Sequence, residues 1–303
     1  MKRALVTGGA GFVGSCVVRA LVERGVNVSV IDDLSVGKRE RLDVVMSKIS
    51  FYHNSLFDAD ALQKAIAGAD AVFHLAAQVS VPESIKDPAK AFHINVEGTK
   101  QVLGAARGAG VRRFVYSSSA AVYGDPTTLP VTEETPTHPL SPYGETKLKG
   151  EELCRTAQGI ETVSLRYMNI VGVGQDVSSP YAAVVPLFLQ KVKNGTPLTI
   201  QGDGTQTRDF VDLEDVVWAN IRAAEAVGVA GTVFNIGSGI EVALNQLVTT
   251  LEEVLGKKLV VEYGPPREGD IYRSVADIRH ARELLGWEPK VPFKESIKRI
   301  LGA

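Results

Sequence analysis

The sequence predicts an α/β fold, a doubly wound parallel sheet followed by a smaller C-terminal part. Three observations carry this expectation. The apolar run Ala4-Leu5-Val6 leads into Thr7-Gly8-Gly9-Ala10-Gly11-Phe12-Val13-Gly14, a helix-like segment Ser15 to Arg24, and a second apolar run, Val26 to Ile31, ending on Asp32. Short apolar runs and helical patterns then continue to alternate, as in parallel sheets with crossover helices. A later run, Val111 to Tyr116, ends in Ser117-Ser118-Ser119, hydroxyls placed where parallel strands present ligands.

The first stretch has the layout of a Rossmann-type dinucleotide turn. Gly8 permits the tight turn, Gly11 the approach of a pyrophosphate, and Gly14 close packing of helix on strand. The helix start then offers free N–H groups and partial positive charge to phosphates. Asp32 lies 18 positions after Gly14, near the ~20 expected for a carboxylate that reaches the adenosine ribose. That carboxylate would repel a 2′-phosphate, so NAD is expected over NADP. Asp33, Ser35 and Gly37 form the turn beside the adenosine end, while Lys38 and Arg39 read as a solvated face.

With 303 residues, the chain suffices for one large α/β domain or two joined ones. Hydrophobic residues make up 45% and charged residues 22%, and the net charge of -2 gives no reason to expect nucleic acid or anionic lipid as partner. No apolar stretch approaches the ~18 residues of a membrane span, and the chain passes from Met1-Lys2-Arg3 straight into the first strand, which predicts a cytoplasmic enzyme. Cys16 and Cys154 read as small buried hydrophobes, with neither disulfide nor metal spacing.

Further along, Ile49 to His53 reads as a strand, Ala59 to Ala67 as a helix, and Ala71 to Ala77 as a strand whose small end suits a flat ligand. His74 fits a hydrogen-bonded core histidine better than a catalytic one. Asp87-Pro88 starts a long helix to about Gly108, in which Asn95 either supports the site or packs. The segment before His138 reads as a surface loop. Pro142 then opens a helix that puts Tyr143 and Lys147 at i and i+4 on one face. A free tyrosine, of pKa ~10, is a poor base at neutral pH. An ammonium and an oxidised nicotinamide nearby would favour its phenolate. A shift of ~3 units requires ~4 kcal/mol.

At this point the chain resembles the extended short-chain dehydrogenase/reductase family, specifically its nucleotide-sugar epimerases. The likeness covers Thr7 to Gly14, His74 to Ala77, Ser117 to Gly124, Tyr143 to Lys147, Leu165-Arg166-Tyr167-Met168-Asn169, Gly202 to Phe210 and Arg267-Glu268-Gly269-Asp270. It implies Tyr143 as acid/base, Lys147 on the nicotinamide ribose and Ser119 on the reacting sugar oxygen. NAD would further line up along Phe12, Val13, Leu75, Ala76, Ala77, Asn95, Ser117 and Tyr167. Asn169, Arg208 and Arg267 would meet the substrate diphosphate and Asp270 the uridine ribose, consistent with the bidentate grip of guanidinium groups on phosphate oxygens. One departure is that Ser55 stands where relatives often carry an acid that contacts adenine, with Asp58 three places later.

The resemblance also sorts reactions. Related sugar 4,6-dehydratases place an Asp-Glu pair before Val-Tyr-Gly, and related decarboxylases a glutamate. Ala120 and Ala121 stand here, so 4-epimerisation of a UDP-hexose, through a 4-keto sugar, is expected. Ser274 aligns with a bulky tyrosine in some epimerases and leaves room for an N-acetyl group. UDP-glucuronate is an alternative substrate. A net NAD(P)-dependent keto-sugar reductase or dehydrogenase and a non-catalytic nucleotide sensor are the rival functions. Residues 1–170 are expected to form the NAD-binding domain, with 210–235 returning to it, and 171–303 the nucleotide-sugar domain. A homodimer, pairing the helix from Pro88 with the Tyr143 helix in a four-helix bundle, is likewise implied by resemblance.

Overall fold

The structure, a computed structural model, describes residues 1–175, 184–266 and 271–302. Arg267 and Asp270 therefore lie outside the described residues. In chain order the first elements are β1 (Arg3–Thr7), α1 (Phe12–Glu23), β2 (Asn27–Ile31), β3 (Ile49–Tyr52), α2 (Ala59–Ile66), β4 (Ala71–His74), α3 (Val81–Lys86), α4 (Pro88–Phe92), α5 (Gly98–Gly108), β5 (Arg113–Ser119), α6 (Pro142–Thr156) and β6 (Glu161–Tyr167). After them come β7 (Asn169–Val171), α7 (Val184–Asn194), β8 (Leu198–Gln201), β9 (Thr207–Asp212), α8 (Leu213–Glu225), β10 (Thr232–Ile236), β11 (Glu241–Ala243), α9 (Leu244–Leu255), β12 (Val261–Gly264) and α10 (Phe293–Leu301).

Seven strands form one parallel sheet in the order β10-β6-β5-β4-β1-β2-β3. Both faces are covered, so β1 and β4 are apolar and buried almost throughout, as a two-faced parallel sheet requires. Helices α1 and α8 close one face around Val6, Val18, Val115 and Val216. Helices α2, α5 and α6 close the other around Leu5, Leu62, Phe114 and Tyr116. Strand order reverses between β1 and β4. The carboxyl ends of β1, β4, β5 and β6 thus border the crevice where such sheets receive ligands.

Helix α8 and strand β10 pack on this sheet although they follow β7 to β9 in sequence. The remaining C-terminal elements surround a separate core of Val171, Phe188, Leu198, Phe210, Leu247 and Ile297. Asp215 ties the two parts by accepting the Lys290 and Val291 amides at 2.9 and 3.1 Å. The fully buried Trp287 adds a bond from its indole N–H to the Asp215 carbonyl at 2.9 Å.

Several elements depart from the sequence expectation. The long helix from Pro88 contains a π-helical turn at His93–Glu97, with Asn95 buried inside it. Such turns are frequent at functional sites. A short additional helix, α3, follows β4 because Ser80 caps it and Pro82 suits its first turn. Residues Arg39–Lys48, a stretch assigned to no element from sequence, form 3₁₀ turns. Only Cys154 of the two cysteines is buried; Cys16 is half-exposed on α1 and accepts a contact from Arg19 Nη2 at 2.8 Å.

Candidate active site

The glycine turn is built by backbone. Gly8, at φ 66°, donates its N–H to the Ile31 carbonyl, and Gly11 donates back to the Gly8 carbonyl, both at 3.0 Å. A Cβ on Gly8 would lie 2.7 Å from the backbone of Ala76, and one on Gly11 3.0 Å from the Gly8 carbonyl. Phe12 and Val13 open α1, whose N-cap, Gly11, offers no side-chain acceptor. The first N–H groups of a helix have no intrahelical partner, so this end stays available to an anion. Beside it, Asp32 is buried, and desolvation pushes its carboxyl above the usual range against two opposing bonds from the Leu34 and Ala10 amides, each at 2.9 Å. Gly37 packs on this carboxylate, since a Cβ there would meet Oδ1 at 2.7 Å. Asp33 accepts bonds from the Ser35 amide and hydroxyl. These residues fit a dinucleotide: a bare positive helix end, backbone free of Cβ atoms, and a carboxylate one strand away. Asp58 is spent as the α2 cap, and Ser55 Oγ accepts the Phe57 amide. Neither supplies an acid at the end of β3.

Opposite, the ends of β4 and β5 face the start of α6. Leu75 donates its N–H to the Thr7 carbonyl and Ala76 to the Thr7 hydroxyl, which locks Leu75-Ala76-Ala77 against the glycine turn. His74 is buried between two threonines, with Nδ1 2.8 Å from Thr7 Oγ1 and Nε2 2.9 Å from Thr99 Oγ1. Thr99 gives its own proton to the Asn95 carbonyl, so Nε2 carries the histidine hydrogen and Nδ1 accepts. Burial, reinforced by the Lys147 ammonium, pushes the His74 pKa down to about 3. Unfolding returns it to ~6.5. Proton uptake thus favours the unfolded chain between those limits: the contribution is complete above ~6.5 and is lost as pH falls toward 3. At pH ~4.5 it should have lost about 2–3 kcal/mol. Denaturant midpoints measured across this range should fall less steeply in His74→Gln; equal slopes would exclude His74 as a source.

Asn95 uses its amide within the protein. Oδ1 accepts from the Gln78 N–H at 2.8 Å, while Nδ2 donates to the Gln78 carbonyl at 3.0 Å and to Thr146 Oγ1 at 2.9 Å. It clamps the loop after β4 to α6. The Tyr167 hydroxyl similarly bonds Asn220 Oδ1 at 3.0 Å and interacts with Ser117.

Ser141 caps α6 and Pro142 occupies its first turn. Lys147 Nζ donates to the Ser117 carbonyl at 2.7 Å and lies 5.9 Å from the Tyr143 ring centroid and 5.3 Å from that of Tyr116. Ser119 interacts with the Tyr143 side chain and accepts the Ala121 amide at 3.2 Å. The structure thus brings Ser117, Ser119, Tyr143 and Lys147 together. In the protein alone, burial raises the Tyr143 pKa, with the Ser119 bond opposing, so the polypeptide by itself does not favour the phenolate. Burial likewise draws the Lys147 pKa down to about 8, against the nearby Glu151 carboxylate.

Two glycines that sequence reasoning passed over make this approach possible. A Cβ on Gly150 would lie 2.0 Å from the Tyr116 hydroxyl, and one on Gly144 2.6 Å from the Ala121 carbonyl. Gly150 lets α6 approach β5 at Tyr116, and Gly144 lets its first turn approach the 3₁₀ turn at Ala121. On the C-terminal side, Asn169 Nδ2 bonds the Asp209 carbonyl at 3.4 Å and Arg208 Nη1 the Thr207 carbonyl at 2.8 Å. Ser274 is half-buried beside the bridge between Val131 and Ala276.

This combination defines a class: a Rossmann-type enzyme that works with a bound dinucleotide. Within it, the chain belongs to the NAD dependent epimerase/dehydratase family, whose profile matches residues 4–237, and NAD is its cofactor. It is 40% identical, over 98% of its length and 96% of the relative's, to a putative UDP-glucose 4-epimerase of Methanocaldococcus jannaschii. Its structure resembles the UDP-glucose 4-epimerase of Thermotoga maritima solved with UDP-glucose (TM-score 0.92, 39% identity, 99% of this chain and 97% of that one). It also resembles the UDP-N-acetylglucosamine 4-epimerase of Methanobrevibacter ruminantium M1 solved with UDP-N-acetylmuramic acid (TM-score 0.94, 35% identity, 99% and 97%). No helix among the described residues is long and apolar enough to cross a membrane.

Proposed function

We propose that the protein interconverts UDP-glucose and UDP-galactose, an NAD-dependent 4-epimerisation. The observation that carries this reading is the Ser119–Tyr143–Lys147 group with Ala120 and Ala121 beside it: one proton-transferring side chain at the reacting oxygen, and no second acid in the 3₁₀ turn Ala120–Val122. Elimination or decarboxylation needs that second group. Bound NAD supplies a hydride acceptor and donor. Tyr143 takes the proton of the C4 hydroxyl, whose oxygen Ser119 holds, and C4 becomes a ketone. After the sugar turns about its diphosphate linkage, so that C4 would take hydride back on its opposite face, Tyr143 returns the proton to the same oxygen. Lys147 contributes its charge and holds the nicotinamide ribose. Gly8, Gly11 and the α1 start hold the pyrophosphate and Asp32 the adenosine ribose, while Asn169, Arg208, Arg267 and Asp270 hold the UDP moiety. In this reading the protein works as a homodimer through the helix from Pro88 and α6.

The test is to incubate the protein with UDP-galactose and catalytic NAD and follow the anomeric protons. UDP-glucose without net NADH supports epimerisation, whereas stoichiometric NADH would replace it with a net oxidoreductase. The N-acetylhexosamine pair is a second substrate range, favoured by the small Ser274 side chain. Ser274→Tyr should cut N-acetyl turnover at least tenfold relative to the plain sugars, about the ~1.4 kcal/mol of a modest pocket clash; an unchanged ratio would remove Ser274 as the gate.

A further inference from the structure

Behind the site lies a buried ion pair that the reaction just proposed does not use. Glu151 and Arg166 are each only 6% exposed in their side chains and meet at 2.7 Å through Nη2, with a second bond from Nε at 2.9 Å. Ser118 donates to the same carboxylate. Arg166 Nη1 reaches the Tyr123 hydroxyl at 2.9 Å and the Glu133 carbonyl at 3.2 Å. The Tyr123 hydroxyl goes on to Asn235 Oδ1 at 2.6 Å.

The three serines at the end of β5 each meet the same face of α6. The Ser119 side chain interacts with Tyr143, the Ser117 carbonyl receives Lys147, and the Ser118 side chain bonds Glu151. Those partners are residues i, i+4 and i+8, one helical turn apart. Glu151 therefore fixes the strand residue between the two that touch the reacting side chains, and Arg166 fixes Glu151.

From this arrangement we infer that Glu151, braced by Arg166, is a positioning residue for the reaction: it sets the register of β5 against α6 and holds the charge of Lys147 beside Tyr143. The deduction rests on the proposed epimerase reading for its kinetic part only.

The groups facing Lys147 agree with this role. On α6 they are Tyr143, Glu151 and Cys154, on β5 Tyr116 and the Ser117 carbonyl, and on β4 His74; on β6, Arg166 meets Glu151 and Tyr167 meets Tyr143. Ser84 of α3, Asn95 of the π-helical turn and Thr99 of α5, the buried polar side chains turned toward this region, are neutral. Burial keeps Cys154, Tyr116 and Tyr167 protonated and His74 uncharged. Glu151 is thus the anion that opposes desolvation of the Lys147 ammonium. Replacing a buried charge can collapse a fold, but replacing both partners of an ion pair by apolar groups is often tolerated. That fact separates structure from function here.

The experiment compares wild type, Glu151→Gln, Glu151→Asp and the double variant Glu151→Leu/Arg166→Met. Lys147 titration is followed in the cofactor-free protein by isotope-labelled lysine NMR, with Lys147→Arg giving the assignment; kcat and KM for UDP-galactose are followed against pH. In Glu151→Gln and the double variant, the Lys147 titration and the alkaline limb of kcat should move to lower pH by about one unit, a tenfold change in proton affinity. KM should stay within about threefold while kcat falls at least ~10-fold, because ground-state binding is spared. Glu151→Asp, which keeps the charge, should restore most of the titration. An unmoved Lys147 titration, or a stable double variant with wild-type kcat and pH profile, would overturn the inference and leave Glu151 a fold residue. Wild type that titrates as stated but does not convert UDP-galactose would overturn the epimerase reading instead.

Discussion

Tyr143→Phe should lower the kcat of epimerisation on the order of a hundred- to ten-thousandfold, the range for loss of a general acid–base group. NAD binding should change little. The substitution removes one oxygen. Lys147 keeps its bond to the Ser117 carbonyl, and the helix keeps its Ser141 cap. What disappears is the proposed proton acceptor beside Ser119, and the three serines at the end of β5 offer no substitute base at neutral pH. Burial alone raises the Tyr143 pKa, so the phenolate of the proposed mechanism depends on cationic neighbours, and the acid limb of kcat should vanish together with activity. NAD affinity by fluorescence titration and turnover by proton NMR check both halves. Substantial turnover in the variant would dismiss Tyr143 as the base, and weakened NAD binding would show a wider structural role.

Gly14→Ala should cost more than any other single methyl added to the dinucleotide turn. The new Cβ would stand 2.1 Å from the Gly8 carbonyl oxygen and 2.9 Å from Gly9 Cα, both backbone atoms. No rotamer change relieves such a clash, so α1 must back away from β1. Strain of this kind costs roughly 1–3 kcal/mol or more, and the displaced helix start should weaken NAD binding at least tenfold. Gly104, on α5, is the control, since a Cβ there meets nothing within 4 Å. Gly104→Ala should stabilise the protein by roughly 0.5–1 kcal/mol through helix propensity and leave NAD affinity alone. Thermal unfolding and NAD titration of both variants decide the matter; similar behaviour of the two would mean that helix and strand can move apart freely.

Sequence alone determined a good deal of this molecule. Local patterns gave the dinucleotide turn, since Gly8, Gly11, Gly14 and Asp32 act within one strand–helix–strand unit and their spacing is set by its lengths. Tyr143 and Lys147 were legible for the same reason, a fixed i, i+4 relation on a helix that Pro142 starts. The π-helical turn around Asn95 was not, because it depends on a clamp between Gln78 and Thr146, which stand on different elements.

What only the tertiary structure decided involves residues distant in sequence. Arg166 lay inside a motif and Glu151 continued the Tyr143–Lys147 face, yet neither reveals a partner until β6 and α6 pack on β5. Gly144 and Gly150 gain meaning only from Ala121 and Tyr116 across that contact. The pKa directions belong to the same level, since desolvation depends on every neighbour that excludes water. Local spacing is fixed by backbone geometry and can be read in one dimension, whereas burial and charge pairing arise where separate segments meet.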